Sequence, residues 1–260
     1  MGTVESVILL LIGIIAGGYG TIVGAGGGFI FVPALLIVFN MDPVIAAGSG
    51  LVIVLINAFT GTLGYASQRK IKYKISLTIA ISAIPGALFG VWLLQQYSSK
   101  YFHIFFATIL VALGFFLLYK NFSIKDKLFK NRKSNSKKIK ENKPLSHGWF
   151  IPLGLLMGIL SSYLGIGGGW LLVPILVYIF KVQPQNAAAT SILSLFIYSF
   201  IGVGYQFYYG NIDWIVVIFG GIGVILGSNI GVYLSNRIPG KIVMQMLSIL
   251  LVIIGIRMYF

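Results

Sequence analysis

Two glycine clusters set the limits on what this chain can fold into. The first, GAGGGFIFVPALL, runs from Gly24 to Leu36, and the second, GIGGGWLLVPIL, runs from Gly165 to Leu176. Both lie inside apolar sequence, and in each a glycine triplet is followed by a proline, Pro33 or Pro174. A shift of 141 residues, the distance from Gly26 to Gly167, places Gly24, Gly26, Gly27, Gly28 and Pro33 on Gly165, Gly167, Gly168, Gly169 and Pro174. Without a gap it also places Gly13, Gly17, Pro43, Ala46, Ala47, Gly61, Gly86 and Gly90 on Gly154, Gly158, Pro184, Ala187, Ala188, Gly202, Gly227 and Gly231. Aligned Gly and Pro, rather than scattered Leu and Val, mark an internal duplication.

The medium around the clusters follows from composition. Of 260 residues, 58% are hydrophobic and 9% charged, and the mean hydropathy is +0.96. A soluble domain carries roughly a quarter charged residues. Apolar segments fall at about 4–23, 26–40, 44–66, 73–97 and 100–120, then at about 149–164, 167–181, 185–208, 212–235 and 240–260. The chain reads as an all-α, multi-pass membrane protein: a first repeat over 1–120, a basic cytoplasmic linker over 121–147 and a second repeat over 148–260. The segments flanking the second glycine cluster, at roughly 15 residues, are short for a full crossing. The first apolar run lacks a basic leader and reads as a retained helix.

The net charge of +14 comes largely from Lys120 to Lys143, between apolar segments. That is the signature of a cytoplasmic loop, not of a nucleic-acid interface. Arg69, Lys70, Lys72 and Lys74 put the loop near residue 70 on the same side, whereas its copy near Asn211 carries Asp213 and no cation. Matched loops therefore face opposite sides. Two inverted repeats of five segments are expected, with both termini outside and the glycine breaks at the repeat interface.

A glycine triplet in hydrocarbon interrupts a helix, and freed backbone groups there need partners. A restarted helix presents unpaired N–H groups and the positive end of its dipole, which together make an anion site. A tight turn between packed helices is the plainer use of one such cluster; its repetition at matched positions favours a ligand. No Lys or Arg sits at a segment centre, and all five acids, Glu5, Asp42, Asp126, Glu141 and Asp213, fall at segment ends or in the linker. An anion at mid-depth would be held by Gly24, Gly26, Gly27, Gly28, Gly165, Gly167, Gly168 and Gly169. Hydroxyls and amides of the following segments, Ser49, Thr190, Ser191, Ser194 and Asn57, would assist, although interhelical hydrogen bonding is an equal use for each. His103 and His147 lie near a segment end and in the linker, which leaves no buried proton relay. The glycines spaced by four, such as Gly13 with Gly17 and Gly227 with Gly231, read as close-packing sites.

No P-loop follows either cluster, whose next residues are Phe29-Ile30 and Trp170-Leu171. The chain contains no cysteine and no nucleophile–base or metal-ligand grouping, so no enzyme, metal or cofactor is expected. The expected partners are a small anion and the lipid bilayer.

The paired GxGGG…P clusters, the Ala46–Ser49 and Ala187–Ser191 stretches, YGNIDW at Tyr209–Trp214 and the Gly227–Gly231 pair together resemble the TauE/SafE sulfite exporter family, also called TSUP. The resemblance covers nearly the whole chain outside the linker. It implies a plasma-membrane transporter of sulfur-containing anions such as sulfite or sulfonates, usually outward, with the glycine clusters and the Ser/Thr helix starts as its site. In the first half, RKIKYK stands where the second half has the GNIDW-like form. An anion channel and a non-transporting membrane subunit remain open as alternatives.

Overall fold

The computed structural model describes residues 2–96, 107–119 and 147–257. The described residues form ten α-helices and no strand: α1 Thr3–Val23, α2 Gly28–Val38, α3 Pro43–Ser67, α4 Tyr73–Gln96, α5 Ala107–Tyr119, α6 Phe150–Leu164, α7 Gly169–Tyr178, α8 Pro184–Tyr208, α9 Trp214–Ser235 and α10 Gly240–Arg257. Six of them, α1, α3, α4, α8, α9 and α10, are long and apolar enough to cross a membrane. Lys100, His103 and the linker expected over 121–147 lie outside the described residues, except that a 3-10 turn, His147–Trp149, leads into α6.

Local chemistry sets the helix starts. At α3, Asp42 accepts the Val44 N–H at 2.8 Å and Pro43 takes the first helical position. At α9, Asp213 accepts from Ile215 and Val216. The segments expected over 26–40 and 167–181 shorten to α2 and α7, with 11 and 10 residues. Their first glycines belong to the breaks, and their ends run into turns where Asn40 and Lys181 take left-handed φ values of 47° and 57°. Helices of that length reach roughly half-way through a hydrocarbon core.

Small residues decide which helices meet. Along α1, Gly13 lies on Gly220 and Gly223, Gly17 on Val224, and Gly18 on Gly227 and Gly231. A Cβ on Gly17 would stand 2.8 Å from the Val224 Cα, so the two backbones touch. Residue numbers rise together along both helices, which therefore run parallel. The α4–α6 seam is built the same way, with Gly154 on Ser82, Gly158 on Ala83 and Ala87, Gly86 on Leu155 and Gly90 on Ile159. The 141-residue shift converts one seam into the other. Each half's first helix thus packs on the other half's fourth, while α3 packs on α8 between the seams. Loop hydrogen bonds repeat as well: Met41 N–H to Leu35 O matches Val182 to Leu176, and Lys70 to Tyr65 matches Asn211 to Gln206.

Charge separates along the bundle. The Lys70 ammonium reaches Asn236 Oδ1, Gln185 donates to Ile238 O, the Phe150 and Phe180 rings stack, and Gly240 lies on Pro184. These contacts gather Arg69, Lys70, Lys72, Lys74, Lys181, Arg237 and Lys241 at one end. Ser49 meets Asp213 at the other end, where α1, α3 and α9 begin, so Glu5, Asp42 and Asp213 lie there. Arg257, at the end of α10, is the cation among the described residues that shares the acidic end. Between the two ends Ile15, Ile81, Phe200, Ile218, Ile230 and Ile253 are exposed, as lipid-facing side chains should be.

Candidate functional site

The first break begins where α1 closes on Gly24. The N–H groups of Gly24, Ala25 and Gly26 turn back to the carbonyls of Thr21 (3.1 Å) and Gly20 (2.8 and 3.2 Å). Gly26 has φ 84°, a conformation costing an L-residue about 1–2 kcal/mol. Helix α2 then restarts, and its first donors with an acceptor are Ile30 and Phe31, both bonding Gly27 O. Helix geometry leaves the Gly28 and Phe29 N–H groups without an intrahelical acceptor. In the second break Gly167 has φ 74°, and Leu171 and Leu172 donate to Gly168 O. The Gly169 and Trp170 N–H groups are the corresponding free donors. Here the Gly168 N–H has a partner, the Tyr198 hydroxyl at 3.0 Å. Pro33 and Pro174 lack an N–H, which removes the helical donor to Phe29 O and Trp170 O.

The two breaks abut. A Cβ on Gly28 would stand 2.8 Å from Ile166 Cα; one on Gly169 would stand 2.8 Å from Ala25 Cα and overlap the Gly24 carbonyl. Gly28 and Gly169, like Ala25 and Ile166, are partners under the shift, so the chains cross as two matched elbows. Val54 of α3 and Leu195 of α8, also shift partners, both close on Gly26 and Gly167. All six triplet glycines are buried, and the breaks face each other across these two side chains rather than across an open hollow.

Polar groups stand one turn behind that apolar pair. Thr21 donates to Asn57 Oδ1 at 2.9 Å and lies 2.9 Å from the Ser228 hydroxyl, while the Tyr65 hydroxyl donates to Thr21 O at 2.8 Å. Asn57 is fully buried, and its Nδ2 has no partner. Around the second break, Ser162 Oγ, Ser199 Oγ, Trp170 Nε1 and Gln206 Nε2 are likewise buried without a partner. Buried polar atoms are nearly always satisfied, so these groups beside two helix restarts can exchange hydrogen bonds with a polar ligand or with water.

The expected side chains divide. Ser191 donates to Gly24 O at 2.9 Å and belongs to the first break. Asn57 joins it through Thr21, whose carbonyl accepts from Gly24. Ser49 accepts the Asp213 N–H at 2.9 Å and Thr190 accepts the Lys72 N–H at 3.0 Å, so each fastens the loop before a long helix. Ser194 pairs with Ser76 at 3.0 Å on the α4 seam. Reading residue types alone missed Tyr198 and Thr21. The shift could have found both, because it lays Tyr198 on Asn57 and Ser162 on Thr21.

The sequence profile described as Sulfite exporter TauE/SafE matches residues 9–258. The chain belongs to the TauE/SafE sulfite exporter family. It is 25% identical to "Probable membrane transporter protein YunE" of Bacillus subtilis, over 98% of this chain and 97% of that one. It is 27% identical to "Probable membrane transporter protein MJ0441" of Methanocaldococcus jannaschii, over 96% and 94%. It is also 27% identical to "Probable membrane transporter protein YjnA" of B. subtilis, over 97% and 99%. No solved structure matches the chain. As a TauE/SafE chain with six candidate spans, it is a multi-pass protein of a membrane-transporter family.

Proposed function

We propose that this TauE/SafE chain carries a small sulfur-containing oxyanion, sulfite or an organosulfonate, outward across the plasma membrane. The anion would bind between the two breaks, on the free N–H groups of Gly28, Phe29, Gly169 and Trp170 and on the Asn57 amide. The observation that carries this reading is the abutment of the two restarts beside a fully buried, unpartnered Asn57 Nδ2. The name of the matched family, a sulfite exporter, supports the substrate class.

In this reading the halves are inverted repeats, and the basic end faces the cytoplasm by the positive-inside rule. The crossing of the breaks is closed by Val54 and Leu195, so loading requires α3 and α8 to part on one side at a time. Such alternating access is the ordinary behaviour of inverted-repeat carriers. The carrier performs no covalent chemistry. The driving force is the membrane potential, because each negative charge leaving an inside-negative cell gains about 2.3 kcal/mol per 100 mV.

Two measurements test the reading. Sulfite flux from loaded proteoliposomes should reverse when the imposed potential is reversed at equal concentrations. Asn57→Leu should lower that flux by about 10- to 100-fold, the value of one hydrogen bond to a charged group. Its melting temperature should change little, because Thr21 keeps Ser228. A voltage-independent flux or an Asn57→Leu variant with normal transport would refute the proposal.

A further inference from the structure

A cavity of about 320 Å³ opens where α4 begins beside the α7–α8 turn, lined by Lys72, Ile75, Lys181, Val182, Gln183 and Asn186. We propose that this cavity is an anion-capture site for the sulfonate or sulfite class of oxyanion, feeding the breaks along one face of α8; it rests on the transport reading above only for what happens after capture.

Three observations carry it. First, the lining joins two ammonium groups to two carboxamides at the start of a 25-residue helix, and its described residues include no carboxylate. Lys72 and Lys181 are both exposed and come from different elements, and among the described residues no carboxylate pairs with either. The dipole of α8 adds to the same field.

Second, a line of polar groups, its inner members buried and hydrogen-bonded to one another in this state, runs from the cavity towards the breaks. Asn186, Thr190 and Ser194 are spaced by four and so lie on one face of α8. Thr190 donates to Asn186 O at 2.6 Å, Ser194 meets Ser76 of α4, and Ser191 reaches Gly24 O of the first break. Leu195, which follows Ser194, is one of the two side chains that close the breaks.

Third, the duplication did not produce this arrangement by itself. Under the shift, Lys72, Lys181 and Gln183 correspond to Asp213, Asn40 and Asp42, and Asn186, Ser194 and Ser76 correspond to Ile45, Ile53 and Val217. The matching position at the other end is therefore acidic, and the path inward from it is mostly apolar. A carrier built this way collects anions at its basic mouth and repels them from its acidic one. Orientation of the chain by positive charge needs lysines near this end, but it does not need them around a cavity. Lys74, two residues from Lys72 and outside the lining, separates the two roles.

The chain has no cysteine, so Gln183→Cys gives a single thiol in the cavity of the full-length, reconstituted protein. A methanethiosulfonate reagent bearing a sulfonate should modify it faster than one bearing a quaternary ammonium, relative to a free thiol. Methanesulfonate should slow that modification more than sodium chloride of equal ionic strength. Adding Lys72→Gln and Lys181→Gln together should remove both effects, and Lys74→Gln should change neither. In sulfite efflux from the basic face, the double lysine variant should raise KM by about fivefold with kcat retained, since exposed charges steer and hold ligands only modestly in water. Protection by methanesulfonate no greater than by chloride, or an unchanged KM in the double variant, overturns the capture site. Protection of Gln183→Cys with both lysines in place, without any sulfite flux, would instead leave capture standing and sink the transport reading.

Discussion

Gly169→Ala is expected to melt well below the parent chain. A Cβ there overlaps the Gly24 carbonyl oxygen and stands 2.8 Å from both Ala25 Cα and Ser191 Oγ. Two of those three atoms are backbone, held by the first break, and cannot swing aside. The effect is steric rather than conformational, since Gly169 is not among the glycines with positive φ. Relief requires the two elbows to separate, which costs about 3 kcal/mol, the upper end of ordinary overpacking. Gly204→Ala is the matched control, because nothing lies within 4 Å of a Cβ at that position of α8. It should be neutral or stabilise by about 0.5–1 kcal/mol through helix propensity. Melting temperature in detergent, read as loss of the monodisperse peak on size exclusion, compares the two. Equal melting of both variants would show that the breaks do not depend on touching each other.

Joint replacement of Val54 and Leu195 by alanine is expected to make the membrane leaky to small anions. These side chains fill the crossing between Gly26 and Gly167, and both are fully buried. Leu195→Ala alone should cost about 2–5 kcal/mol of stability, depending on how far the site collapses. The functional effect runs the other way, because shortening both side chains thins the apolar barrier in front of the free N–H groups and Asn57. A barrier lower by about 1.4 kcal/mol raises a passage rate tenfold, and a leak of that order should appear as faster sulfite loss from liposomes without a counter-gradient. An unchanged leak in folded double variant would mean that the barrier lies elsewhere. Counterflow by the parent chain, lost in the variant, would further separate carrier from channel behaviour.

Much of this architecture could be read in advance. The glycine triplets, the prolines after them and the shift are properties of the string, and glycines spaced by four announce that backbones meet. Which backbones meet could not be read, because a glycine face has no side chain to name its partner. Gly13 and Gly17 find α9 rather than the neighbouring α2 because α9 offers Gly220, Gly223 and Gly227 at matching heights. Hydroxyls were the hardest residues to place. Ser49 and Thr190 look like ligands beside glycine-rich segments, yet each accepts an N–H from a loop more than a hundred residues away in sequence. Tyr198 looks like bulk on an apolar helix, yet it holds Gly168. In both cases the deciding fact is a long-range contact that residue type does not encode.

The exchange of first helices between the halves bears on how the chain is made. Made before the other described helices, α1 finds its seam only when α9 has been built, nearly two hundred residues later. Until then its glycine ridge, from Gly13 to Gly18, faces lipid or whatever helper stands at the insertion site. Ribosome-bound chains stopped after α8 should therefore let a lipid-soluble carbene reagent label α1 along this ridge, and chains extended through α9 should protect it. That outcome would make assembly of such a bundle a late closure rather than the stacking of hairpins in order of birth.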